Sequence, residues 1–248
     1  LLGIWGSGKN DIWVVGDRGT LVHFDGAGWK AVPAPTSEYL SDVAGRSPND
    51  VFAVGLKGVI VHFDGKAWQR QDSGTTEVLG GVWCGATSTL AVGRNGVIVR
   101  HDGSAWKREP SGTTEFLNDV WGSAPDRVFA VGERGTVMHF DGKTWSSQAS
   151  GTTASLNAVW GSGDRDVFAV GSDGTALHYD GTRWKPIGKG LEAAKAKNQI
   201  LHDVWGSGPA DLWATASGGK VHHYDGRSWT TSTNRDGLVL TGIWGSSA

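Results

Sequence analysis

The chain has one cysteine, Cys84, so no intramolecular disulfide can brace it. It has no apolar run near the about 18 residues that a membrane-crossing helix needs, so no membrane span is expected. Strong helix formers are scarce outside Glu192–Lys197, which leaves an α-rich fold without material. The net charge of −2 supplies no basic excess, which excludes nucleic acid as the main partner. No paired carboxylates stand apart from the general pattern, and no Ser-His-Asp or Cys-His arrangement is suggested. The chain therefore reads as a non-enzyme without a cofactor or metal. It starts at Leu1, without Met and already inside a repeat, which reads as a processed or incomplete piece. The lack of a signal peptide then says nothing about location.

What the chain has in abundance is glycine, 39 residues, and tryptophan, 14 residues. Both are periodic. Asp-Gly recurs at Asp25, Asp64, Asp102, Asp141, Asp180 and Asp225, at intervals of 39, 38, 39, 39 and 45. A Trp follows each: Trp29, Trp68, Trp106, Trp145, Trp184 and Trp229. An opening Trp recurs at Trp5, Trp83, Trp121, Trp160, Trp205 and Trp244, with Ala44 in that slot in the second unit. Trp13 and Trp213 take a Phe slot, so the repeat accounts for every Trp as a packing residue.

The apolar runs are short, rich in Val, Phe and Trp, and bounded by turn residues, which predicts strands. Four strands per unit of about 40 residues predicts four-stranded antiparallel blades and an all-β propeller. The repeats span 1–39, 40–78, 79–116, 117–155, 156–200 and 201–239, forming one domain over 1–248. A further copy of the first strand follows in 240–248. Six blades is the expectation; seven, the last incomplete, is the alternative. Asp-Gly suits a two-residue primed turn. If Asp141-Gly142 is that turn, Met138 opposes Trp145, and Val22, Val61, Val99 and Leu177 oppose the equivalent Trp residues. The histidines two places before each Asp would then face Gly28, Ala67, Thr144, Arg183 and Ser228. Those histidines, His23, His62, His139, His178 and His223, read as structural, bonded to backbone or a nearby Asp. Cys84 reads as a buried thiol and the Asp of Asp-Gly as a cap on its own turn. Asp11, Asp50, Asp166 and Asp211 read as turn residues.

Tandem Val-Trp-Gly-Ser, Val-Phe-Ala-Val-Gly and His-Phe/Tyr-Asp-Gly-x-x-Trp units resemble those of secreted and lipoprotein-type bacterial β-propellers, many of them myxobacterial. The resemblance covers all six units and implies a propeller secreted from a bacterium or held at its cell envelope. The segment His139–Trp145 is similar to the Asp-box hairpin of sialidase-like and photosystem-assembly-type propellers. It lacks the Ser/Thr before the Asp and is a residue shorter between Asp and Trp. The strand order also resembles that of tectonin-type lectin propellers, but no motif carries sugar-binding residues over.

Irregular positions are the functional guides, because the repeat does not dictate them. The turns between second and third strands vary, and they place Arg18, Lys57, Arg94 and Arg134 on one rim, near Glu38, Glu77 and Glu115. Three Ser-Gly-Thr-Thr connections, Ser73–Thr76, Ser111–Thr114 and Ser150–Thr153, lie on that rim. So does the excursion Ile187–Ile200, with Glu192, Lys195 and Lys197. The expectation is a binding or assembly module that offers this rim to a protein partner. A lectin is the alternative and a glycan hydrolase a distant third.

Overall fold

The computed structural model describes residues 1–234 and 237–246. The fold is all-β. Among the described residues, six antiparallel sheets of four strands are the blades of a six-blade β-propeller. Each sheet takes its strands in chain order, so every repeat folds on itself. Two compact units, Leu1–Val120 and Trp121–Ala248, divide the chain inside the first strand of blade 4, Leu117–Ala124.

The second strands show why the repeat is apolar on both sides. Val51, Phe52, Ala53 and Val54 are 0–2% exposed, because this blade is packed on both faces. One face of blade 2, with Val51, Val61 and Trp68, packs on Trp13, Val15 and Leu21 of blade 1. The other, with Phe52, Val54 and Ile60, packs on Leu79, Val99 and Trp106 of blade 3.

First strands of successive blades meet through one recurring contact. The Trp5 ring lies against Gly45, where a Cβ would stand 2.6 Å from Cη2. Trp121 lies likewise on Gly161, Trp160 on Gly206 and Trp205 on Gly245. Gly45, Gly161, Gly206 and Gly245 are thus kept free of a Cβ by the Trp of the preceding blade. Blade 2 has Ala44 in place of Trp, and blade 3 has Cys84 in place of Gly. The Cys84 thiol faces the Ala44 carbonyl at 3.5 Å. Arg46 spans the same junction, donating from Nε to the Gly85 carbonyl at 2.6 Å and from Nη2 to Thr89 at 2.5 Å. The two departures from the repeat compensate each other in volume.

The hairpin between third and fourth strands departs from the sequence expectation. Phe140 pairs with Trp145, His139 with Ser146 and Met138 with Ser147. The turn is type II′: Gly142 is its first central residue, at φ +93°, and Asp141 stands just outside. From there Asp141 Oδ1 accepts the amides of Lys143 and Thr144, at 2.9 and 2.8 Å. Capping both amides needs the Asp ahead of the central pair, and this sets the register. Each Trp therefore opposes an aromatic residue: Phe24, Phe63, His101, Phe140, Tyr179 or Tyr224. Val22, Val61, Val99, Met138 and Leu177 lie one pair further along the same face. The repeat histidines face Lys30, Gln69, Ser146, Lys185 and Thr230, not the smaller residues expected.

The segment 240–246 pairs with no sheet, but it has a defined seat. The Ile243 amide donates to Asp203 Oδ2 at 2.8 Å, and Gly245 receives Trp205. The first strand of blade 3 sits on blade 2 in the same way, with the Val82 amide 2.8 Å from Asp42 Oδ2.

The Ala44–Cys84 compensation is testable by a double-mutant cycle. Ala44→Trp alone overpacks the junction and should cost about 1–3 kcal/mol. Cys84→Gly alone leaves a void and should cost about 1–2 kcal/mol. The double variant should be more stable than the sum of the two by about 1 kcal/mol or more in denaturant unfolding. Strict additivity would separate the two positions.

Candidate functional site

The turns between second and third strands carry four of the basic residues singled out in the sequence. In Asp17–Thr20 the Thr20 amide donates to the Asp17 carbonyl at 3.0 Å. Both central residues have positive φ, Arg18 at +53° and Gly19 at +67°, which makes this a type I′ turn. The pattern recurs with Lys57 (+55°), Asn95 (+56°), Arg134 (+54°), Asp173 (+57°) and Gly218 (+73°) in the first central position. Arg94 therefore does not occupy the slot of Arg18, Lys57 and Arg134. It lies one residue earlier, because Asn95 takes the left-handed place. The second central Gly has its open side against a connection between blades. A Cβ on Gly58 would clash with the Thr75 carbonyl, and one on Gly135 with that of Thr152.

The connections are small knots. Ser73, 3% exposed, donates to the Gly58 carbonyl at 2.6 Å and accepts the Thr75 amide. The buried hydroxyl thus joins turn to connection, placing both on one rim of the blades. Above the knots the basic side chains reach solvent: the Arg18 side chain is 90% exposed and that of Lys57 73%. Lys57 pairs with Glu38 at 2.9 Å, across the turn–connection junction. Arg18, Lys57 and Arg94 stand on the turns of blades 1, 2 and 3.

In the second unit, Arg134 stands on the blade-4 turn, and blade 5 replaces the knot by an insertion. Helix α1, Glu192–Ala196, is held by Leu191 and Ala194, which join the apolar core. The Glu192 carboxylate accepts the Gly190 amide at 3.0 Å, and the Gly174 amide donates to the Gln199 carbonyl at 2.8 Å. The insertion is therefore clamped to the blade-5 turn. Glu192, Lys195 and Lys197 are exposed. A groove of about 660 Å³ runs between this helix and the connection Ser150–Ala154. Asp173, Glu192 and Lys195 give it charge, while Trp184, Pro186 and Leu191 form its apolar floor. A shallower groove of about 570 Å³ in the first unit is lined by Asn95, Arg108 and Glu109. Arg108 was not singled out in the sequence, because it falls inside the last strand, where the repeat itself varies.

The histidines and aspartates that looked chemically suggestive form a repeated structural device. His23 Nε2 lies 2.6 Å from Asp11 Oδ1, with its ring stacked on Trp13 at 4.1 Å. His62–Asp50 on Phe52, His178–Asp166 on Phe168 and His223–Asp211 on Trp213 repeat it. In blade 3, Arg100 replaces the histidine and pairs with Glu109 at 2.5 Å and Ser88 at 3.2 Å. In blade 4, Arg127 replaces the Asp and turns to Asp164. His222 and His223 point to opposite faces: His222 is buried and bonds Thr231 at 2.9 Å, while His223 holds Asp211. Among the described residues no group of three or more His, Cys, Asp or Glu gathers to hold a metal. Burial pushes the Cys84 thiol up to about 12, which makes it a poor nucleophile.

A recurring acid on the first strands carries a sequence signal of its own. The residue two before each opening Trp slot runs Gly3, Asp42, Gly81, Asp119, Ala158, Asp203 and Gly242, alternating small and acidic. Asp42 accepts its neighbour Val43 through Oδ1 and the next blade's Val82 through Oδ2, each at 2.8 Å. Asp203 does the same with Val204 and Ile243. A Cβ on Gly3 would stand 2.9 Å from Asp42 Cα, which is why the preceding position is small.

The blades of each unit carry decorated turns along one edge. No protein-family profile matches the sequence, and no curated protein matches it. Solved structures do. YCF48 bound to D1 peptide aligns with TM-score 0.71 and 19% identity over 93% of this chain and 79% of its own. YCF48 from Cyanidioschyzon merolae aligns with 0.70 and 18% over 94% and 84%. The WD40 repeats of RRP9 align with 0.77 and 8% over 93% and 79%. At these identities the likeness is one of fold.

Loss of hydration raises the Asp42 carboxyl to about 6, against two amide bonds that favour the ionised form. The folded protein then binds more protons than the unfolded chain between about pH 4 and 6. Stability from this group is greatest below that window and falls as pH rises through it. Asp42→Asn should flatten this fall, by on the order of 2 kcal/mol between pH 4 and 6. Denaturant unfolding against pH, parent minus variant, reads it; an unchanged slope would show that Asp42 titrates normally.

Proposed function

We propose that this protein is a non-catalytic propeller that binds a protein partner through the rim of type I′ turns and inter-blade connections. The observation that carries the reading is the residue choice at the left-handed position. Gly, Asn and Asp adopt positive φ at least cost, and three blades use them: Asn95, Asp173 and Gly218. Blades 1, 2 and 4 place Arg18, Lys57 and Arg134 there instead. Backbone strain of this kind, of order 1 kcal/mol or more per residue, persists where a side chain serves a function. Long cations lifted above a rigid scaffold suit an acidic protein surface, which they steer by long-range attraction. Arg94 adds to the same rim. The insertion with Glu192, Lys195 and Lys197 walls the groove where a segment of the partner would lie. The fold shared with YCF48 bound to D1 peptide and with the WD40 repeats of RRP9 supports a binding role without naming the partner. The repeat pattern supports secretion from a bacterium or residence at its cell envelope.

The test exploits the strain. Arg18→Asn, Lys57→Asn and Arg134→Asn together should raise stability by about 1 kcal/mol or more. Binding to an array of acidic peptides should fall about tenfold or more, and the parent's binding should weaken with salt. Replacing Glu192–Lys197 by a Gly-Ser linker should also weaken it. A glycan array is the second arm. Sugar selectivity that survives the triple substitution, or peptide binding unchanged in both variants, would overturn the rim as a protein-binding surface.

A further inference from the structure

Blade 6 breaks the repeat at one buried position. The third-strand slot three places before each Asp-Gly holds Val22, Val61, Val99, Met138 and Leu177 in blades 1 to 5, and His222 in blade 6. His222 is 1% exposed and pairs with Ala214 on one side and Thr231 on the other. Strand alternation puts it on the face of Tyr224. That face, with Ala214, Trp229 and Leu191, packs on Phe168 and Ala176 of blade 5. The junction lies inside the second unit. Only one nitrogen of the ring is served. Nδ1 lies 2.9 Å from Thr231 Oγ1, and Nε2 has no partner among the described residues. By contrast His23, His62, His178 and His223 each hold a carboxylate.

A neutral imidazole fits a slot with one partner. The imidazolium donates from both nitrogens, so protonation would bury an unmet N–H and a charge without a counterion. The carboxylates of the surrounding elements are engaged elsewhere. Asp211, on the neighbouring strand, holds His223 on the opposite face, and Asp166, on the facing side of blade 5, is held by His178 at 3.1 Å. Glu192 of the insertion is exposed and accepts the Gly190 amide. The last strand, Trp229–Thr233, has no charged side chain. Loss of hydration, and then the Lys220 ammonium, holds the His222 pKa down to about 4. The insertion of blade 5 is anchored on the same face. Trp229 donates from its amide to the Lys189 carbonyl at 2.8 Å and from Nε1 to the Ile187 carbonyl at 2.9 Å. We infer that His222 is an acid-sensitive latch, whose protonation loosens blade 6 from blade 5 and frees the insertion that their packing holds. A partner lying in the groove beside helix α1 would then be released by acid, a consequence that rests on the function proposed above. The latch itself does not.

The sign follows from linkage. Below the ordinary 6.5 the unfolded chain takes up a proton that the folded one refuses until about pH 4, so stability falls as pH drops through this window. This is opposite to the effect of Asp42. Denaturant unfolding of the parent and His222→Leu, which restores the residue type of blade 5, tests it. Relative to the variant, the parent's unfolding constant should rise at least about tenfold between pH 7.5 and 4.5. Amide hydrogen exchange locates the event. At pH 5 the parent should exchange the amides of 187–199 and Trp229 at least about tenfold faster than the variant, while Val51–Val54 exchange alike. The difference should shrink at pH 7.5. If His222→Leu does not fold, His222→Met, with the residue of blade 4, replaces it. The same pH dependence in parent and variant, or equal exchange at pH 5, overturns the latch. So does faster exchange spread evenly over both units, since His222 would then act on the whole fold. An insertion that opens in acid while acidic-peptide binding stays unchanged supports the latch and overturns the groove as the binding place.

Discussion

The rest of the structure depends on a flat ring meeting a missing side chain. A first-strand Trp of one blade lies on the Gly that follows the Trp slot of the next, as Trp5 does on Gly45 and Trp160 on Gly206. Backbone and indole approach within van der Waals distance only because that position has no Cβ. Close packing of this kind tolerates little change in volume. The junction of blades 2 and 3, Ala44 with Cys84, abandons it, changes both partners and adds Arg46, whose guanidinium also lies 5.7 Å from the Phe52 ring centre. The Asp42–Val82 and Asp203–Ile243 bonds lock the same first strands in register, each carboxylate bonding its own strand and the next.

Two hairpins per blade divide the work. The outer hairpin is set by Asp141 and its equivalents, and backbone amide bonds hold the Asp141 carboxyl below the usual range. This hairpin is nearly invariant among the repeats and brings an aromatic pair to the blade face. The inner hairpin tolerates any residue that survives positive φ followed by Gly, and here the blades differ from one another. Variation is therefore confined to a place where it does not disturb packing. A rigid scaffold with variable, strained turn tips is what a binding surface requires.

Much of this was legible in the residues. The spacing of Asp-Gly and Trp specified four short strands per repeat, and the scarcity of helix formers left few other folds. Asp capping and structural histidines also followed from residue chemistry, whereas Cys84, expected to be buried, is partly buried. The outer-hairpin register was read two residues off, because Asp-Gly fits both a type I′ turn and the start of a type II′ turn. A two-residue slip keeps every side chain on its face, so hydrophobic pattern cannot detect it. The true I′ signals, Asn95-Gly96 and Asp173-Gly174, sat in the other hairpin, masked by Arg18, Lys57 and Arg134 at the same position. Arg94 looked equivalent to those three only because the slot had not been located.

By itself, the sequence determined the blade: its strands, its turns and the residues it buries, since each repeat supplies its own hydrogen-bond partners within about 40 residues. Tertiary structure alone decided what happens between blades. That the Gly of Trp-Gly serves the preceding blade, that Ala44 explains Cys84, and that Asp42 reaches Val82 depend on contacts about one repeat away. Repeats of nearly identical sequence cannot announce such differences, because burial belongs to the neighbour a residue meets and not to the residue.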